Sequence, residues 1–159
     1  MQNTLRIVPA VVLLVAVLGG CASTPMASLE SDADAKRFES APNAAIIYLY
    51  RPPAPGGGAA STIWIDGRLI GETLPTTYFR VPVRAGYHRI NASGGDVGRL
   101  EIDTKAEGVY FVEMQVLGES QSESNTIFRS VAPETAKPAI LGCCRLLDAW
   151  RPGQSRFNF

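Results

Sequence analysis

Between residues 44 and 131 the chain is a succession of short segments in which apolar and polar side chains alternate, each bounded by Gly, Pro, Asp or Asn. Side chains on an extended strand point to opposite faces in turn, so a period of two describes strands with one face buried. The segments are AIIYLYR (45–51), STIWID (61–66), RLIGETL (68–74), YFRVPV (78–83), YHRINAS (87–93), GRLEIDTK (98–105), VYFVEMQVL (109–117) and TIFRSV (126–131). Strands at this regular spacing, with turn residues between them, predict an all-β fold: an antiparallel β-sandwich or open barrel of seven to eight strands. Alternation places Ile63, Ile65, Phe79, Val81, Leu100 and Ile102 inward. Asp66-Gly67 predicts a tight hairpin, and Ala85-Gly86 predicts a second one joining YFRVPV to YHRINAS.

Only PETAKPAILGCCRLL (133–147) reads as helical; Pro133 suits a first helical position, and Pro138 interrupts the ladder, so a short or broken C-terminal helix is expected. Residues 22–43 are rich in Ala, Ser, Asp and Pro and read as a flexible tether, although Leu29 and Phe38 are apolar enough to dock. The resulting division is a leader over 1–20, a tether over 21–43, a β-sandwich domain over 44–147 and an aromatic tail over 148–159.

The leader itself resembles a bacterial lipoprotein signal. Arg6 and the amino terminus precede the apolar run from Ile7 to Leu18, which ends in Leu18-Gly19-Gly20-Cys21. The run contains Pro9 and falls short of the ~20 apolar residues of a spanning helix. In the resemblance Cys21 receives a diacylglyceryl group on sulfur, becomes the first residue after cleavage and is N-acylated, which anchors the protein to the membrane without spanning it. Ala22, where Asp would favour inner-membrane retention, implies the outer membrane, facing the periplasm.

A second resemblance covers roughly residues 44–147. The words IYLYRP (47–52), IWIDGRLIGETL (63–74), YFRVPVRAGYHRI (78–90) and EGVYFVEMQV (107–116) resemble the bacterial domain-of-unknown-function family 2846, found mostly in lipoproteins. Arg84-Ala85-Gly86 stands where that family usually has a Pro-Gly turn. The resemblance implies an all-β lipoprotein domain and no particular activity.

The residues offer little chemistry. Fifteen basic side chains against fifteen acidic give no pull toward nucleic acid. The single histidine, His88, shares a strand face with Ile90 and reads as structural, and no Gly-x-Ser-x-Gly elbow surrounds a serine. No His-Glu-x-x-His or Cys-x-x-Cys calls for a metal, and Asp66, Asp96 and Asp103 sit in separate turns. Gly56-Gly57-Gly58 lacks the Lys-Ser/Thr of a phosphate loop, and no cofactor is expected. Cys143 and Cys144 leave three outcomes open in an oxidising compartment: buried thiols, an intermolecular disulfide, or a strained vicinal bridge.

What remains is a surface. If Phe79 and Val81 are buried, alternation exposes Tyr78 and Arg80, with Tyr87 and Arg89 beside them on the paired strand and Trp64 nearby. Such a face suits an anionic envelope glycan or an envelope protein. The expectation is a non-enzymatic binding or assembly module anchored in the outer membrane through Cys21. Its rivals are a small envelope hydrolase and a subunit of a larger envelope complex that docks through its C-terminal tail.

Overall fold

The computed structural model describes residues 24–53, 58–93, 98–118 and 124–150. The signal segment, Cys21, Gly56-Gly57, Gly94-Gly95-Asp96 and the tail beyond Trp150 lie outside the described residues. Among the described residues, nine strands and two helices follow in the order α1 (Leu29–Ala35), β1 (Ala45–Arg51), β2 (Ser61–Ile65), β3 (Arg68–Thr73), β4 (Thr77–Val83), β5 (Gly86–Ala92), β6 (Arg99–Thr104), β7 (Val109–Leu117), β8 (Asn125–Val131), α2 (Pro133–Cys143) and β9 (Arg145–Leu146).

The strands form a sandwich of two mainly antiparallel sheets, ordered β8-β7-β1-β4-β9 and β3-β2-β5-β6, and the short C-terminal helix is present. Two pairings are parallel, β1 with β7 and β4 with β9. The Asp66-Gly67 hairpin forms as expected, joining β2 to β3 with positive φ at both residues (52° and 76°). That combination is the turn whose twist matches antiparallel strands, and Asp and Gly are the residues that tolerate it. Between the sheets lies a core of Ile47, Leu49, Ile63, Ile70, Phe79 and Ile90 with their neighbours, and Leu100 and Ile102 pack against it from β6.

The expected second hairpin does not form. β4 pairs with β1 and β9, whereas β5 pairs with β2 and β6, so YFRVPV and YHRINAS lie in different sheets. Their outward faces explain why. Tyr78 on β4 needs cover and is fully buried, whereas Tyr87 on β5 is 68% exposed. One continuous sheet face could not be both covered and solvated there. Gly86, at φ +132°, lies at the corner where the chain changes sheets.

A third layer covers the five-stranded sheet and corrects the expected tether. Residues 28–43 hold α1 and its exit, and Phe38 docks against Tyr48 and Phe111 with ring centroids 5.2 and 5.7 Å away, while Leu29 stays in solvent. A seven-residue helix cannot persist alone. Ser28 caps its first turn, accepting from the Ser31 N–H at 3.1 Å, and Asp32 fastens the helix to the sheet. Although only 6% exposed, Asp32 accepts from the Leu146 N–H (2.8 Å), the Tyr78 hydroxyl (3.0 Å) and Lys36 Nζ (2.9 Å). Burial alone would raise its pKa; those hydrogen bonds, from Lys36, Leu146 and Tyr78, outweigh it and keep the carboxyl ionised.

The composition of residues 22–43 pointed to a tether because small and acidic residues dominate; the few apolar ones coincide with a ready-made aromatic surface on β1, β4 and β7. With both faces covered, β1 is buried along its whole length. α2 completes the layer through Ala136 and Ile140, and it runs through Pro138 without breaking. It ends at Cys143, where the chain turns into β9.

Candidate functional site

The five residues expected to form one exposed surface are divided between two faces. Tyr78 lies in the helix-covered core, and Arg80 reaches under the same layer, donating to the Tyr48 hydroxyl (3.2 Å) and the Glu39 carbonyl (3.4 Å). Neither faces solvent as an open binding group, because α1 and its exit occupy that side of β4. Trp64, Tyr87 and Arg89 do share the outer face of the four-stranded sheet, where Trp64 stands opposite Asn91 and Arg89 opposite Glu101. That face neutralises itself. Glu101 accepts from the Tyr87 hydroxyl (3.0 Å), pairs with Arg89 (3.5 Å) and is also engaged by Arg99.

Cys143 and Cys144 are joined to each other in a vicinal disulfide, with Cys144 buried against the carbonyl of Arg51. Of the three outcomes open for this pair, the bridge within the chain is the one formed.

The convergence of polar groups with open space occurs elsewhere, at the end of the sandwich where the Asp66-Gly67 hairpin meets the β4–β5 corner. His88 points inward beside Ile90, as alternation predicts, and is 8% exposed. Its Nδ1 lies 2.6 Å from Asp66 Oδ2, and its Nε2 lies 2.8 Å from the Arg84 carbonyl. A carbonyl only accepts, so Nε2 must carry a proton. An ionised carboxylate at Nδ1 favours a second proton there, and so favours the charged form of the ring. Burial pulls the His88 pKa down, but the bonds to Asp66 and Arg84 and the negative charges of Asp66 and Asp103 outweigh it and raise the pKa. Asp66 responds in the opposite sense: burial opposes its charge, yet the bonds from His88 and from the Arg89 N–H (2.8 Å) hold its carboxyl below the usual range.

Beside this pair opens a cleft of about 420 Å³. Its floor comes from both sheets, Ile65 and Ile70 from one and Val81 and Val83 from the other, and its rim carries Arg68, Arg84, Asp66 and His88. Sequence reasoning found His88 but not its companions. Asp66 was read as a turn residue, which it is; nothing in the spacing shows that the turn places it against a side chain 22 positions on. Arg68 and Arg84 carry no local signal, because the change of sheet after β4 is what brings them to one opening. Among the described residues no three His, Cys, Asp or Glu side chains gather to hold a metal.

Known proteins add one relative. A protein of Haemophilus influenzae described only as uncharacterized is 34% identical over 98 residues, a stretch covering 60% of this chain and 58% of that protein. No family model matches the chain, and no solved structure matches it.

Proposed function

We propose that this protein is a lipid-anchored lipoprotein of the outer membrane, facing the periplasm, and that its sandwich is a non-enzymatic binding module. The observation that carries the reading is the position of Leu18-Gly19-Gly20-Cys21 relative to the fold. Only three residues beyond Cys21, the Thr24 hydroxyl already accepts from the Glu72 N–H on β3 at 2.6 Å. Three residues reach about 10 Å at full extension, so a lipid on Cys21 would hold β3 and its surroundings against the bilayer. The resemblance of the motif words to family 2846 supports the same class, and Ala22 supports the outer membrane. No helix among the described residues is long and apolar enough to cross a membrane.

The state of His88 supports binding over catalysis. A general base needs a ring nitrogen free to take a proton from its nucleophile, and both nitrogens here are engaged by acceptors. The test is to replace Cys21 with Ser and follow membrane fractionation and incorporation of labelled fatty acid. Loss of both is the expected result, and undiminished membrane association of Cys21→Ser would reject the anchor.

A further inference from the structure

We propose that the cleft between Asp66 and Arg84 binds an anionic amphiphile, an acidic head group on a short unbranched apolar tail. The proposal rests on the reading of the sandwich as a binding module and supplies the class of ligand. Three features of the cleft define that class.

The first is its floor. Ile65, Ile70, Val81 and Val83 line a gap between the two sheets, so an occupant lies between two aliphatic layers. A volume of about 420 Å³ is at the small end of the range of ligand sites, roughly 300 to 1,000 Å³. The second is charge. Arg68, Arg84 and His88 line the cleft with one carboxylate, Asp66, which is already engaged by His88 and the Arg89 N–H; Asp103, not among the lining residues, also acts on His88. Among the described residues no carboxylate pairs with the guanidinium of Arg84, and Arg68 makes only a long contact of 3.4 Å to the Trp150 carbonyl. Two arginine forks therefore remain for an acidic head group, the partner whose geometry they match. The third is that, among the described residues, no aromatic side chain lines the cleft apart from the locked His88 ring. Sugar rings bind on flat aromatic surface, so a glycan is the wrong occupant for this site.

The experiment uses the full-length protein in detergent micelles, a decanoate probe carrying a photoreactive diazirine at its tail, and mass spectrometry to map labelled residues. Label is expected on the β2, β3 and β4 segments that line the cleft. Unlabelled decanoate should compete at a concentration at least about tenfold lower than decanol or inorganic phosphate, because neither tail nor head alone uses both halves of the site. The double variant Arg68→Ala/Arg84→Ala should lose about tenfold in labelling at an unchanged melting temperature. Equal competition by phosphate would reduce the site to an ion contact, and equal competition by decanol would reduce it to an apolar sink; either overturns the proposal. So does label that is scattered, or that the double variant leaves unchanged. The mass of the same sample shows whether Cys21 carries lipid. Specific labelling without lipid would keep the cleft and remove the anchor, whereas lipid without labelling would do the reverse.

Discussion

Asp66 and His88, 22 positions apart, are joined by a 2.6 Å hydrogen bond that ties the β2–β3 turn to the strand beyond the sheet crossing. Because the pair shifts both groups away from their ordinary pKa values, it makes folding stability depend on pH. The His88 pKa is raised above 6.5, so its contribution is complete below about pH 6.5 and is lost as pH rises through the folded value. Asp66 is lowered below 3.8, so its contribution holds above that value and is lost as pH falls through the folded one. Urea midpoints measured from about pH 5 to pH 9 should decline on the alkaline side. Asp66→Asn should flatten that decline, and an equally steep slope in the variant would show that another group causes it.

Asp32 predicts a larger loss. Asp32→Ala strands the buried Leu146 N–H and leaves the Tyr78 hydroxyl only its longer bond to the residue 32 carbonyl (3.3 Å), and should destabilise the fold by about 2 to 3 kcal/mol in chemical denaturation. Hydrogen exchange at the Leu146 amide should accelerate in the same variant. A loss under about 0.5 kcal/mol would mean that α1 contributes nothing to the domain.

Gly71 faces a close approach. A Cβ there would sit 2.8 Å from Thr24 Oγ1 and 2.9 Å from the Phe79 ring, at a φ of +151°. Gly71→Ala should cost about 1 to 3 kcal/mol and loosen Thr24 from β3, read as faster exchange of the Glu72 amide.

The two arginines once expected to act together should behave differently. Arg89→Ala should change stability by less than about 0.5 kcal/mol, since its pairing with Glu101 is a solvent-exposed contact. Arg80→Ala should destabilise more, by about 1 kcal/mol, because it removes the donor to the buried Tyr48 hydroxyl. Thermal melts of the two variants side by side decide the order.

The vicinal disulfide makes a prediction about the thiols of the native protein. Protein taken from cells without reductant should run as a monomer in non-reducing electrophoresis, and Cys143 and Cys144 should become alkylatable only after reduction. A disulfide-linked dimer would show that a second chain captures one of these sulfurs.

The strand positions were legible because a half-buried strand writes its period into the chain: β2 alternates buried and partly exposed residues along STIWI, and Asp66-Gly67 is its own turn signal. What the alternation could not say is what lies on the polar-looking side. Tyr78 and Arg80 alternate with Phe79 and Val81, yet a helical layer buries their side as well. The same blindness hid the change of sheet between β4 and β5, since a strand's period is identical in either sheet. The cleft depends on that crossing. Arg68 and Arg84 are 16 positions apart, and only topology brings both to one opening with His88.

The docking of α1 has a consequence for the order of events as the chain is made. Its fastenings lie at the far end of the sequence: the Ala27 N–H donates to the Leu146 carbonyl, Met26 bridges Leu147, and Asp32 accepts from the Leu146 N–H. A polypeptide emerging amino terminus first thus holds α1 without these fastenings until β9 arrives. Through that interval the aromatic surface of Tyr48, Tyr78 and Phe111 lacks its lid, and closing so long a loop is slow relative to local hairpins. Newly made copies should accordingly be most vulnerable to chaperone capture and proteolysis in the moments before β9 seats, and truncation after Cys144 should release α1 as well as β9.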